Sequence, residues 1–143
     1  MRHGVKKNKF KKGVDAGRIV IRHLVTNFVR EGKIVTTITK AKALKSYLDK
    51  LANKSKTKNE ANRNYLMAKI GDARMVKIFF EQIGPVIKDK SGGYTRIIKL
   101  GRRLEDGVET AKVEWAYPVV LEKKAEVKRE VSQEKVVETK KKK

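Results

Sequence analysis

The main change in the spacing of apolar residues along this chain restricts which folds are open to it. Up to residue 83, apart from a short β-branched stretch at 33–38, apolar residues recur at three- and four-residue intervals, whereas from residue 94 they alternate with polar ones. Alternating strands make a sheet with one apolar face, which needs helices on that face only. The order of the two patterns predicts an α+β domain of two layers, with about three strands covered on one face by about four helices.

Two amphipathic helices and a short strand are predicted first. Asp15 is favoured as the N-cap of helix one, Gly32 as its end, and the face to be buried comprises Ile21, Leu24, Val25 and Phe28. Residues 33–38 are β-branched and indicate a strand. Thr37 or Thr39 then caps helix two, whose apolar face comprises Ala41, Leu44, Leu48 and Leu51.

Two further helices follow. Residues 60–70 predict a third helix with Ala61, Tyr65 and Ala68 on its buried stripe. A fourth begins at Asp72, and the Gly84-Pro85 pair is expected to stop it. Its buried stripe comprises Met75, Val76, Phe79, Phe80 and Ile83.

Two strands complete the predicted domain, at residues 94–100 and 111–119. Arg96 shares a face with the apolar side chains of Ile98 and Leu100, so it either snorkels to the rim or meets an anion there. Pro118 cannot donate a ladder hydrogen bond and is expected at a strand end or an edge. The intervening residues 101–110 are expected to project.

The net charge defines the class of partner. The 143 residues carry 37 basic and 16 acidic side chains, a formal charge of +21. A net charge of magnitude about 2 to 8 is sufficient to keep a small domain soluble. A polyanion is therefore expected as partner, with nucleic acid favoured over an anionic membrane because no apolar run is long enough to span one.

The basic residues concentrate first in an N-terminal arm, residues 1–14. Its opening, MRHGVKKNKFKK, contains no acid, and its cations are Arg2, Lys6, Lys7, Lys9, Lys11 and Lys12. Such a segment is expected to become ordered when the phosphates of a nucleic acid accept its hydrogen bonds. The alternative is that it serves as a solubilising or targeting segment. His3 and Phe10 can stack on exposed bases or pack back onto the domain.

Further basic candidates lie within the compact RNA-binding domain expected at residues 15–120. Arg18 and Arg22 are neighbours one turn apart on the first helix, Arg96 lies on a strand, and Arg102 and Arg103 follow it. Residues 121–143 are rich in charge, contain no aromatic residue and have few apolar side chains, so they predict a disordered tail or a marginal helix. There is no cysteine, and the two histidines lack the neighbours that a metal site needs. No catalytic motif occurs, so neither an enzyme nor a cofactor is expected.

Five features in order resemble the bacterial large-subunit ribosomal protein family number seventeen. These are MRH at the start, the basic run with Lys9 and Lys12, VTTITKAKALK at 35–45, GGYTRIIKLG at 92–101, and a final strand of the AKVEW type. The resemblance spans about residues 1 to 120 and is specific because the motifs occur in combination. Gly4 and the GVDAG stretch at 13–17 depart from the family pattern.

The resemblance implies a small mixed sheet, a basic arm in ribosomal RNA, and a place near the polypeptide tunnel exit. It implies a cytoplasmic structural protein of the large subunit, in contact with rRNA and neighbouring ribosomal proteins, with no catalytic activity, cofactor, small-molecule substrate or membrane. The residues carried over from the family are Arg2, His3, Lys9, Lys12, Arg22, Thr37, Lys40, Tyr94 and Arg96.

Two rival functions are open to so basic a chain. A nucleoid-type architectural protein fits the composition, yet such proteins use dimeric symmetry or an intercalating wedge, and the sequence indicates neither. An RNA-modifying enzyme would need a cofactor loop or a general base. Co-sedimentation with large ribosomal subunits would distinguish these functions.

Overall fold

The computed structural model describes residues 13–119, with side chains from residue 15 onward. Residues 1–12 and 120–143 lie outside the described residues, so the arm predicted for most of residues 1–14 and the disordered tail predicted at 121–143 stay predictions. The elements in chain order are α1 (Gly13–Glu31), β1 (Lys33–Thr37), α2 (Ile38–Ser55), α3 (Glu60–Ile70), α4 (Ala73–Ile78), a π-helical turn (Phe79–Ile83), α5 (Gly84–Ile87), β2 (Thr95–Arg102) and β3 (Glu109–Trp115).

The three strands form one sheet in the order β1-β3-β2, which confirms the predicted α+β architecture. Both strand pairs are antiparallel, so the expectation of a mixed sheet is wrong. A hydrophobic pattern fixes which side chains face the core, but it carries no information on the direction in which a strand enters the sheet. Here β2 and β3 form a hairpin, and β1 pairs with the opposite edge of β3.

The helices cover one face of this sheet. β3 turns Ala111, Val113 and Trp115 toward them, and α2 packs across all three strands. Phe28 of α1 meets Trp115 with ring centroids 4.8 Å apart. The predicted apolar face of α2 is confirmed, because Ala41, Leu44, Leu48 and Leu51 are all buried.

Helices α1 and α3 depart in detail from their predicted form. α1 begins at Gly13, so Asp15 lies inside its first turn and pairs with Arg18 instead of capping the helix. α3 has the predicted bounds but buries Leu66 and Ile70, while Ala61 and Ala68 are exposed. The larger side chains gain more from leaving water than the two alanines would, and they set the rotation of the helix.

The helical segment does not stop at Gly84-Pro85, contrary to expectation. Residues 79–83 form a π turn in which the Gly84 N–H donates to the Phe79 carbonyl, and helix α5 then continues to Ile87. Pro85 lies in the first turn of α5, where a missing N–H is tolerated. Phe79, Ile83 and Ile87 are thereby all kept in the core.

The other face of the sheet is open. It carries Arg96, Ile98 and Leu100, because the helices cover the face of Thr95 and Ile97. The interpretation of Arg96 as a cation on the helix-covered apolar side is therefore wrong in its orientation. Leu100 is 53% exposed and Val35 of β1 is 60% exposed.

β3 ends at Trp115, and Pro118 lies beyond the ladder as expected. β2 extends to Arg102 and β3 starts at Glu109, so only residues 103–108 form the projecting loop.

Candidate nucleic-acid interface

The outer face of α2 concentrates positive charge. Residues 40–58 contain seven lysines and one acid, Asp49. The inward face of α2 is occupied by apolar residues at helical spacing, so most of these lysines must lie outside. Among residues 15–119, no ion pair involves a lysine of α2. Their charge is therefore available to an external anion.

A shallow groove of about 610 Å³ runs along this face. One wall is α2 and the other is the loop that leads into β2, and the groove is lined by Lys42, Lys45, Ser46, Asp49, Lys50, Asn53, Ser91, Gly92, Gly93, Tyr94 and Ile97. We call it the lysine groove. Its one carboxylate, that of Asp49, accepts a hydrogen bond from Thr95 Oγ1 at 3.1 Å, and three lysines line the same groove. The groove is thus net positive and open to solvent.

Tyr94 fixes the loop wall of the lysine groove. Its side chain is buried, and its hydroxyl lies 3.2 Å from the Ser91 carbonyl and 3.3 Å from Asn53 Oδ1. The ammonium of Lys56 lies 5.0 Å from the Tyr94 ring centroid. Gly93 has φ +66°, a backbone conformation that disfavours side chains. The GGYT segment therefore shapes the wall, and Tyr94 acts through packing rather than by presenting its ring to a base.

Other predicted binding residues have partners within the chain. Arg22 donates from Nε to the Lys69 carbonyl at 3.1 Å and from Nη2 to the Ala68 carbonyl at 2.9 Å, at the C-terminal end of α3. Tyr47 donates to the same Lys69 carbonyl at 3.2 Å. Burial raises the pKa of Tyr47, which keeps this hydroxyl protonated as a donor. Arg22, with Tyr47, thus caps the C-terminal end of α3, where the last carbonyls have no donors within the helix.

Arg96 and Arg103 lie in ion pairs. Arg96 Nε is 2.6 Å from Glu114 on the neighbouring strand, and Lys112 Nζ is 2.5 Å from the same carboxylate. Hydrogen bonds from Lys112 and Arg96 lower the pKa of Glu114 below its usual value. Arg103 forms a two-point contact with Asp106 across the loop, at 3.0 and 2.7 Å, and this contact lowers the pKa of Asp106.

The remaining predicted residues are dispersed. Arg18 is exposed, Thr37 holds the N-cap position of α2 without a side-chain cap bond, Lys40 is half-buried in the first turn of α2, and Arg102 is exposed at the end of β2. The arm residues Arg2, His3, Lys6, Lys7, Lys9, Lys11 and Lys12 lie outside the described part of the chain. Of the predicted residues within it, only Tyr94 lines the lysine groove.

Sequence reasoning missed Lys42, Lys45 and Lys50 as site residues. The signal was present in the run of seven lysines with a single acid, which favours an anion-binding helix face. The sequence did not indicate that the loop at 91–94 forms the opposite wall of the groove, because this loop is about 45 residues away from these lysines along the chain.

A second groove, of about 500 Å³, lies between α3 and α4. Its walls include Met67 and Phe80, and its charged residues are of both signs, which does not favour phosphate. Among the described residues, no cluster of His, Cys, Asp or Glu is placed to hold a metal ion, and no helix is long and apolar enough to cross a membrane.

The model of the family described as ribosomal protein L17 matches residues 20–116. This chain belongs to the ribosomal protein L17 family. The matched range runs from the middle of α1 to just past the end of β3, so it includes both walls of the lysine groove. The resemblance to this family is thereby confirmed.

Curated relatives carry the name large ribosomal subunit protein bL17. The relative from Akkermansia muciniphila is 38% identical over 114 residues, which cover 80% of this chain and 84% of that protein. The one from Fervidobacterium nodosum is 37% identical, over 78% of this chain and 95% of that protein. The one from Cutibacterium acnes is 39% identical over 68% of this chain, and this match covers 54% of that longer protein.

Proposed function

We propose that this chain is a structural constituent of the bacterial large ribosomal subunit and binds the phosphate backbone of large-subunit rRNA. The arm and the lysine groove are the two contact surfaces. Family membership supports the ribosomal role, and the groove supports the mode of binding. The single observation that carries the RNA contact is the row of unpaired lysines on α2 facing a loop wall.

The chemistry of the groove suits a phosphate backbone better than base edges. Lys42 and Lys50 are eight residues apart on one helix, with Lys45 between them, and this separation corresponds to about 12 Å at 1.5 Å per residue. That length accommodates two or three successive phosphates. No aromatic ring faces outward from the groove for stacking, since Tyr94 is buried. Binding is therefore expected to follow RNA shape and charge. The family resemblance further implies neighbouring large-subunit proteins as contacts and the polypeptide tunnel exit as the location.

A charge-removal experiment tests the groove. We expect the K42Q/K45Q/K50Q variant to bind a large-subunit rRNA fragment more weakly, with a slope of log affinity against log salt about 2 units shallower, since each phosphate contact contributes about 0.7–0.9. The matched control is R30Q/R63Q/R74Q, which removes three exposed charges on α1, α3 and α4. Equal slopes for the two variants would refute the groove as a contact surface.

Sedimentation tests the ribosomal role itself. The tagged protein is expected in the large-subunit fraction of a cell lysate and to leave it only at high salt. Recovery mainly on DNA would instead support an architectural protein of the nucleoid, and recovery as an unbound monomer would contradict both functions.

A further inference from the structure

The open face of the sheet concentrates exposed apolar side chains. Among the described residues, six large apolar side chains are exposed. Three of them, Val35, Ile98 and Leu100, lie on this face, and Leu104 is fully exposed on the loop that joins β2 to β3. Single exposed apolar side chains are ordinary on a soluble protein, whereas a contiguous group of them marks an interaction surface.

The strand register makes this apolar group contiguous. Val35 of β1 and Ile98 of β2 are both paired with Lys112 of the central strand β3, so they flank it at a backbone separation of about 10 Å. The ammonium of Lys112 is bound to Glu114, two residues further along the same strand. Its methylene stem therefore lies along the face and fills part of the gap between Val35 and Ile98.

A cationic row lies next to this apolar row. Lys33 of β1 and Arg96 of β2 are both paired in register with Glu114, and Arg96 and Lys112 form ion pairs with its carboxylate. Three cations thus surround one carboxylate, so the row keeps a positive charge that a second carboxylate would balance. The two rows are about 7 Å apart, because neighbouring positions on one face of a strand are two residues apart.

This combination fits a polypeptide better than it fits RNA. A phosphate backbone would gain nothing from Val35 and Ile98, and it would be repelled by Glu114. Among the described residues of the open face there is no aromatic ring on which a base could stack. A second copy of this chain fits poorly as well, because face-to-face packing would bring two cationic rows together.

We propose that the open sheet face binds a segment of another protein that presents apolar side chains and a carboxylate. The inference rests on the proposed ribosomal role, because the neighbouring proteins of the large subunit supply such a segment. The sheet separates this face from the lysine groove: Ile97 lines the groove, whereas the next residue, Ile98, lies on the open face. Both surfaces can therefore be occupied at once, and the domain would join rRNA on one side to a protein on the other.

Photo-cross-linking in assembled large subunits tests the partner. We expect p-benzoylphenylalanine in place of Ile98 to cross-link to one other protein, at a segment with apolar residues and an Asp or Glu. The control places the same probe at Lys45 of the lysine groove, where cross-links to rRNA are expected. Cross-links from position 98 to rRNA or to a second copy, or none, would overturn the inference alone. Absence of the chain from large subunits would refute the proposed function and this inference with it.

A synthetic peptide of the cross-linked segment tests the chemistry of the contact. We expect V35T/I98T in the full-length chain to bind it about five- to tenfold more weakly, because two apolar contacts are lost while threonine still favours a strand. The matched control is I19Q/V86Q, which removes two exposed apolar side chains from α1 and α5. Equal losses in the two variants, or no binding to the unaltered chain, would overturn the apolar contact. A peptide with amides in place of its carboxylates should bind more weakly, and unchanged binding would overturn the charge match.

Discussion

Gly84 lies against the C-terminal end of α2 so closely that a Cβ atom on it would be 2.6 Å from the carbonyl oxygen of Ser55. The same atom would be 3.2 Å from the Phe79 carbonyl. Both obstacles are backbone atoms, which cannot rotate away. Gly84 therefore sets the distance between α2 and the α4–α5 segment.

Substitution of Gly84 by alanine is expected to destabilise the fold by about 1–3 kcal/mol, the usual cost of overpacking a tight contact. The free energy of unfolding in urea measures this. Gly92→Ala is the control, since a Cβ there meets nothing within 4 Å and the backbone is not in the left-handed region. Equal stability of the two variants would show that α2 moves aside without cost.

Arg22 is expected to act on stability. Arg22→Gln removes donors from the carbonyls of Ala68 and Lys69 and should cost about 1 kcal/mol, because the site is solvent-exposed and the charge is partly screened. Arg18→Gln removes only an exposed pair with Asp15 and should stay within about 0.5 kcal/mol. Urea unfolding compares the two variants, and losses of the same size would contradict the capping role.

Acid is expected to weaken the Glu114 cluster. Because the folded-state pKa of Glu114 is lowered, the folded protein binds fewer protons there than the unfolded chain, and stability falls as the pH drops below about 4.3. The stability deficit of Glu114→Gln at pH 7 should therefore shrink with falling pH. Glu109→Gln serves as the exposed control. A deficit for Glu114→Gln that is constant between pH 7 and pH 3 would refute the coupling.

Deletion of residues 2–12 separates binding from folding. We expect the unfolding midpoint to change little, since the described domain begins at Gly13, while rRNA affinity falls and its salt slope becomes shallower by several units. An unchanged slope would show that the arm contributes no phosphate contacts. A large loss of stability would show that the arm packs on the domain.

The helices that bury large apolar side chains were predictable from the sequence. In α2, for example, Leu44, Leu48 and Leu51 lie one turn apart on the same face. Only one orientation of the helix about its axis therefore buries all three side chains. α3 was harder, because Leu66 and Ile70 compete with a stripe of alanines at equally regular spacing. Strand β2 was ambiguous for a related reason: Ile97 and Ile98 point to opposite faces, and only the neighbouring β3 decides which face the helices cover.

The candidate site was less predictable than the fold. A cation's role depends on what lies opposite it, and that is a tertiary property. Arg22 reaches carbonyls 46 and 47 residues away, and Arg96 meets Glu114 across a strand pair. Neither partner is visible in the local pattern. The lysine groove is also formed by segments that are distant in sequence. Its positive charge could be predicted from the sequence of α2, but its shape could not, because the second wall is a distant loop.

The π turn at residues 79–83 has a consequence for how this chain can change in length. A π turn accommodates one residue more than an α turn, so deletion of a single residue here would let Gly84 keep its bond to the Phe79 carbonyl in a regular α turn and leave the helix beyond it nearly in place. Ile87 would then stay in the interior. Deletion of the exposed Glu81 should accordingly be tolerated, as in the 103–108 loop, whereas deletion of one residue within α2 would rotate the rest of that helix by about 100° and should be rejected.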